Sequence, residues 1–368
     1  GNLLFAGTNT YTGGTTLTAG GLFLDYATLN TTKLNAAGAL ALNGGGNLIL
    51  SGNASADTSQ VVASTTLASG GFSTIRLTPG GTQKILLSLG AFTRAASAGT
   101  VRFNLPTGTQ DSTHGIRTTS TNVNGILGGW AYITNPTTGA IDFLATPTAA
   151  TNIAALGAAT VLPASGATAT TNYVVNAAVN QTLAQAANSI RIVGGNNLTL
   201  TTGALTITST NATTLGGILH DNSAGESTIS GQSIAVSAVN QELAIITGGS
   251  TNANALTISS VLANGTGSVT KGGGGLWILG LVGLNQGLQG GLIPRLRPAT
   301  SCHPSWMEKA RALVPRTTTK TTSQMEGKAW SYLPCLIPDL QWKLYHDQGC
   351  PLEGLAYQGY QGSPLGRR

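Results

Sequence analysis

Charge is scarce in this sequence. Asp, Glu, Lys and Arg make up 8% of its 368 residues, about a third of ordinary usage. That excludes the charge-rich composition of disordered chains, and 41% apolar content argues against disorder as well. Cysteine is absent from residues 1–275. A disulfide scaffold or thiolate metal centre is therefore excluded there, and the absence fits export without disulfide chemistry. Long apolar runs are missing too. The stretch "LWILGLVGL" (276–284) falls far short of the ~20 residues that a membrane-spanning helix needs. Position 1 is Gly rather than Met, so a fragment or processed product is expected. No signal peptide is visible, which carries no information where the start is missing.

What little charge exists is unevenly placed. Residues 1–275 hold eight Lys/Arg and seven Asp/Glu, scattered singly, while 276–368 hold ten and five. The later segment also holds all three Cys, four of five Trp and eight of thirteen Pro. The sequence pI of 9.4 is thus a property of the tail. It is no nucleic-acid footprint, which requires basic residues clustered on one face. Two sequences of different character meet near Gly275.

Glycine, threonine and asparagine are what the chain has instead. Short alternating apolar runs recur between Gly/Asn/Thr clusters. Val101, Phe103 and Leu105 alternate with Arg102 and Asn104; Ile190 and Ile192 flank Arg191. The pairs Leu198/Leu200, Leu205/Ile207, Ile234/Val236 and Leu256/Ile258 repeat the pattern. A period of two with β-branched residues predicts half-buried strands. Helical patterns are few: "AATNIAALGAA" (149–159) is expected as a short helix, "NQTLAQAAN" (180–188) as helix or strand–turn–strand, and "SWMEKARALV" (305–314) has ordinary helix composition. Sandwiches usually carry a polar, often charged outer face. Here the outward positions are mostly Thr, Ser and Asn, which gain hydrogen bonds when stacked like on like. A parallel β-solenoid over 1–275 is therefore expected, at ~20–27 residues per rung giving about ten to thirteen rungs.

The stretch "LLFAGTNTYTGGTTLTAGGLFL" (3–24) closely resembles the autotransporter-associated β-strand repeat. Asn9, Thr10, Tyr11, Thr12, Gly13, Gly14, Thr15 and Thr16 match that motif position by position. The resemblance implies a right-handed parallel β-helix in a secreted or surface-displayed bacterial protein, with its transporter barrel or other anchor outside this chain. Physically, Leu17 and Ala19 are expected to point inward on one strand and Leu22 and Leu24 on the next. Gly20–Gly21 turns the corner, Gly13–Gly14 makes the preceding turn, and Tyr11 lies against the stack with its hydroxyl at the wet edge. The segments 101–133 and 255–275 resemble inter-repeat regions. The second of these normally introduces another repeat; "LWILGLVGLNQGLQGGLIPRLRP" stands in its place. A frameshifted or disordered tail from 276 to 368 is expected, poorly ordered from about 290; a small C-terminal domain is the alternative.

β-Helices also host polysaccharide lyases and hydrolases, which need clustered carboxylates. Residues 1–275 contain Asp25, Asp57, Asp111, Asp142, Asp221, Glu226 and Glu242. Only Asp221 and Glu226 are near in sequence, in a segment rich in turn formers where a solvated turn is expected. "DSTHG" places Asp111, Ser112 and His114 together, read as a surface turn beside the alternative of a triad. Trp130 is expected as core packing, with a sugar-stacking platform as the alternative. "KGGGG" (271–275) lacks the order of a phosphate loop. Cys302, His303, Cys335, His346 and Cys350 lack metal-ligand spacing. The expectation is a non-enzymatic structural or adhesive segment at the cell surface, without cofactor, catalytic or metal residues. Its partners would be surface glycans or a host or neighbouring cell, not nucleic acid, with membrane contact only through a separate anchor or barrel. A carbohydrate-active β-helix enzyme is the alternative.

Overall fold

The computed structural model describes residues 1–280 except 69, 147–150, 158, 210–214, 222–224, 239–240 and 249–253. Residues 281–368 lie outside this set, and with them the expected disordered tail, the helical stretch 305–314 and the Cys/His residues. The described chain is all strand and turn, with no helix. It forms a parallel β-solenoid of about nine turns. That is fewer than the ten to thirteen expected, for two reasons. Turns run at the long end of the range: Asn47 pairs with Thr74 and Thr74 with Arg102, advances of 27 and 28 residues. The chain also spends the antiparallel strands Ile141–Ala145 and Ala154–Ala155 on reversing direction.

The solenoid is in fact two three-sided stacks. In the first, one sheet runs through strands Asn2–Phe5, Gly21–Asp25, Asn47–Ser51, Phe72–Thr78, Thr100–Asn104 and Ala131–Thr134, all parallel. Strict alternation puts Leu22, Leu48, Ile75, Phe103 and Ile133 in one inward ladder, each at most 2% exposed. Like residues stacked at one register make each rung's apolar side the cover for the next. Strand Ile141–Ala145 then pairs antiparallel with Ala131–Thr134, and Ala154–Ala155 with it. These end the parallel edge, as solenoid ends require. The short helix expected over 149–159 is not found: its described part forms strands Thr151–Asn152 and Ala154–Ala155. Residues 180–188 are strand–turn–strand, Val179–Gln181 and Gln185–Ala187.

The second stack has its own core. Inward ladders run Tyr173–Ile190–Ile218–Ile245–Lys271 and Val179–Leu198–Ile229–Ile258–Leu279. Strand Trp277–Leu279 pairs in register with Leu256–Ile258, so stacking continues four residues past the composition shift at Gly275. In both stacks the last described member of one aliphatic ladder is a cation. Lys271 closes the one above, and Arg94 sits over Leu67 and Leu42 in the first stack. Burial lowers Lys271 to about 8, and its ammonium donates to Gly273 O at 2.7 Å.

The two stacks lie side by side with opposed axes. Arg191 meets Asp142, the Gly129 N–H donates to Leu215 O, Arg94 meets Glu242, and Ser97 meets Ser268. Progress toward the C-terminus in one stack thus matches progress toward the N-terminus in the other. A third apolar cluster fills this seam: Ile126, Tyr132, Ile141 and Phe143 from one side, Leu219 and Ile246 from the other. Strands at the seam are buried on both faces, which is why Gly217–Asp221 and Leu243–Thr247 show no exposed residue.

Candidate functional site

The repeat-like motif forms the first rung. Residues 6–14 are a loop between strands Asn2–Phe5 and Thr15–Leu17, and Thr15 and Thr16 belong to the second of these. The next rung holds the loop down. Asn9 Nδ2 donates to Lys33 O at 2.9 Å, Thr8 and Thr31 hydroxyls share a 3.0 Å hydrogen bond, and Asn35 Nδ2 donates to Thr12 O. Buried Lys33 spreads its ammonium over the carbonyls of Ala6 (2.7 Å), Gly7 (3.2 Å) and Leu29 (2.8 Å). Tyr11 meets Phe5 edge-on at 6.5 Å and shares a 2.7 Å hydrogen bond with Thr15 Oγ1, its hydroxyl at the wet edge. Gly20 turns the corner at φ +77°, and a Cβ at Gly14 would come within 2.9 Å of Ala39 O in the rung above. Leu22 and Leu24 are inward and buried. Leu17 is only half-buried and Ala19 is exposed, because the strand ends at Leu17, before the corner.

The local clusters picked from sequence resolve into structural roles. Asp111 and His114 close a tight turn through their backbones. The His114 ring accepts the Ile85 N–H at Nδ1 (3.1 Å) and therefore donates from Nε2 to Thr107 O (3.0 Å). The Asp111 carboxylate bonds Thr113 and the exposed Lys84 ammonium, which hold its pKa well below the usual carboxylate range. It does not touch the imidazole, and Ser112 is exposed, so no triad forms. Trp130 is 2% exposed and stacks on Phe92 at 5.5 Å, out of reach of a sugar. The glycines at 272–275 serve close packing: a Cβ at Gly272 would strike the Thr100 side chain across the seam. Asp221 and Glu226 part company. Glu226 is exposed, as a turn residue should be, but Asp221 is buried at the seam.

The residues that sequence proximity missed are those the seam brings together. Asp142 lies in a strand that pairs antiparallel against the first stack, Arg191 and Asp221 in adjoining strands of the second. Arg191 Nη1 reaches Asp142 Oδ2 at 3.1 Å. The Phe143 N–H donates to Asp142 Oδ1 (2.8 Å) and the Gly157 N–H to Oδ2 (3.0 Å). Burial pushes the Asp142 pKa up; Arg191 and the two N–H groups oppose this, and the Asp221 charge adds to it. Beside the pair lies a cavity of about 240 Å³, walled by Leu105, Ile133, Pro136 and Ile141. A raised carboxyl near a second carboxylate is the arrangement of an acid/base pair. Both Asp142 oxygens are already engaged by backbone and guanidinium, so its present work is to pin the seam.

A second buried pair crosses 148 residues of sequence. Arg94 Nη1 and Nη2 meet Glu242 at 2.8 and 2.6 Å, and Arg94 Nε donates to Gly99 O at 2.9 Å. No spacing signal in the sequence marks either pair. His220 is different again. It is fully buried in the ladder Val175–Ile192–His220–Thr247, both ring nitrogens lack a hydrogen-bond partner, and burial lowers its pKa to about 4.

Among the described residues no three His, Cys, Asp or Glu side chains gather as a metal site, and no helix is long and apolar enough to cross a membrane. What fold and site define is a parallel β-solenoid whose ionised side chains serve mainly as internal fastenings. No protein-family model matches the chain, and no curated protein or solved structure matches it.

Proposed function

We propose that this chain is a non-enzymatic structural segment of a bacterial surface-exposed or secreted protein of the autotransporter kind. It extends a stiff rod and presents loops for adhesion to surface glycans or to a host or neighbouring cell. The observation that carries this reading is the use of the polar side chains. They bond from rung to rung: Asn30 Nδ2 to Asp57 O (2.8 Å), the Lys84 N–H to Asp57 Oδ1 (2.8 Å), Lys84 Nζ to Asp111 (2.7 Å), and Thr66 to Thr93 (3.0 Å). Positions 30, 57, 84 and 111 lie 27 residues apart and form one vertical ladder. Such side chains stiffen a stack and are spent on it. The resemblance of residues 3–24 to an autotransporter repeat supports the location. A membrane anchor or barrel would belong to a separate segment.

The cavity beside Asp142 favours a second reading, a carbohydrate-active enzyme with Asp142 as acid and Asp221 as its partner. Incubation of the purified chain with pectins, alginate and other glycans separates the two. No depolymerisation is expected. Turnover that is abolished by Asp142→Asn or Asp221→Asn, with the β spectrum retained, overturns the structural reading.

A further inference from the structure

Among the described residues, the seam between the stacks covers only part of the sheet it rests on. On the outward face of the first stack's seam sheet, Tyr132 is 1% exposed beneath the second stack, and Phe72 stacks against it at 6.1 Å. The outward ladder next to these runs Leu4–Phe23–Ile49–Arg76 in strict register. Among the described residues its three apolar members carry no rung of the second stack: Leu4 is 60% exposed, Phe23 and Ile49 are partly buried, and Arg76 is exposed. The last described strand of the second stack on this sheet, Val269–Gly272, sits beside Thr100–Asn104. The apolar stripe therefore continues an established interface past its last described covering strand.

We infer that this stripe is the docking surface for a second copy of the chain, packed about a two-fold axis. The chain's own next rung fits poorly. One turn of 26–28 residues beyond Val269–Gly272 falls on "RLRPAT" (295–300), where Pro298 has no N–H for a ladder and two Arg flank Leu296. A second copy fits on geometry. The stacks of one chain already pack with opposed axes, and a two-fold operator across this face sets the first stack of the partner in that same relation, patch on identical patch. Charge agrees. Arg76 ends the stripe on one side, and Asp25, outward on strand Gly21–Asp25, supplies the opposite sign near its other end. Two-fold packing brings each toward the other across the interface.

Sedimentation velocity and light scattering on the full chain at micromolar concentration test this, with Ile49→Asp and Phe23→Asp as variants. Val61→Asp is the control, since Val61 is 43% exposed on a different sheet. A dimer is expected for the parent and for Val61→Asp, and a monomer for the two stripe variants with unchanged circular dichroism. A monomeric parent, a dimer that survives both stripe variants, or equal dissociation by Val61→Asp overturns the inference. So does a monomer whose strand Asn47–Ser51 is protected from hydrogen exchange only while residues 281–368 are attached, since the chain then covers its own stripe.

Discussion

At the scale of single residues, the interior feeds some of its buried polar groups and leaves others without a partner. Gln60 is 1% exposed, yet its Oε1 accepts from the Tyr26 hydroxyl (2.8 Å) and from the Lys33 and Leu34 N–H groups (3.0 Å each), and its Nε2 donates to Leu34 O and Val61 O. Lys33 is fed by three carbonyls. His220 is not fed: like Gln181, Ser209 and Ser260, it is buried with side-chain polar atoms that lack a partner, and it is the one of these that titrates. A neutral imidazole with a donor and an acceptor both unpaired costs on the order of 1–3 kcal/mol for each group. Its folded pKa of about 4 lies below the ordinary 6.5. Between those values the unfolded chain binds a proton that the folded chain refuses. Stability is therefore undiminished above pH ~6.5 and falls as the pH drops toward 4, by roughly 3 kcal/mol in all. His220→Leu should raise stability at pH 7 by about 1–3 kcal/mol and remove this acid limb. Urea denaturation at pH 7 and pH 4.5 measures both; an unchanged difference between the two pH values in the variant contradicts the assignment.

At the scale of strands and rungs, legibility followed the physics of alternation. The inward positions of Val101 and Phe103, and of Leu198 and Leu200, could be read from sequence because they recur every second residue; that Phe103 stacks on Ile75 and Leu198 on Ile229 is set by rung register, which alternation alone does not give. Residues 149–159 misled because Ala-rich text favours a helix locally; pairing with the neighbouring strands overrides it. The reversal into a second stack was not legible, since strands facing a seam differ from other strands only in having both faces apolar. Nor was the seam chemistry: Arg94–Glu242 and Arg191–Asp142 join positions that no local pattern links. The motif loop was legible as a rung, but its fastening by Lys33 was not. That fastening makes a test at this scale. Lys33→Met removes three ammonium–carbonyl bonds and leaves Ala6, Gly7 and Leu29 carbonyls in want of water. Charge-assisted bonds contribute about 1.5–3 kcal/mol each when net, yet the loop is mostly exposed and can rehydrate. Local rather than global loss is expected. Hydrogen exchange should speed in Asn2–Phe5 and Thr15–Leu17 while Ile75 and Phe103 strands keep their protection; uniform acceleration across the stack would contradict a local staple.

At the scale of the whole molecule, the question is whether two stacks with separate cores behave as one body. Each core is contiguous and large, so each stack has the means to hold itself together, and solenoids need only nearest-neighbour contacts. Among the contacts that join them are the small seam cluster, the two ion pairs, hydrogen bonds such as Ser97–Ser268 and Asn124–Asn188, and one trespassing side chain. Leu215 follows the second stack's strand Leu205–Ile207 in sequence, but its side chain is 1% exposed inside the first stack's core. The Gly129 N–H donates to its carbonyl at 2.5 Å, and Gly216 after it admits no Cβ, since Asn188 O would lie 1.7 Å away. Leu215 therefore cannot withdraw without opening both stacks at once. Leu215→Ala should cost about 2–5 kcal/mol as a buried Leu truncation. Leu215→Asp should do something different in kind. A buried unpaired carboxylate at the junction favours separation of the stacks over loss of either core. The parent is expected to melt in one calorimetric transition, with exchange in Leu48 and Ile229 strands collapsing together. The Asp variant is expected to show two transitions, each assigned by hydrogen exchange to one stack. If Leu215→Asp instead lowers a single shared transition, cooperativity runs through the antiparallel strands Ile141–Ala145 and Ala154–Ala155 and not through Leu215.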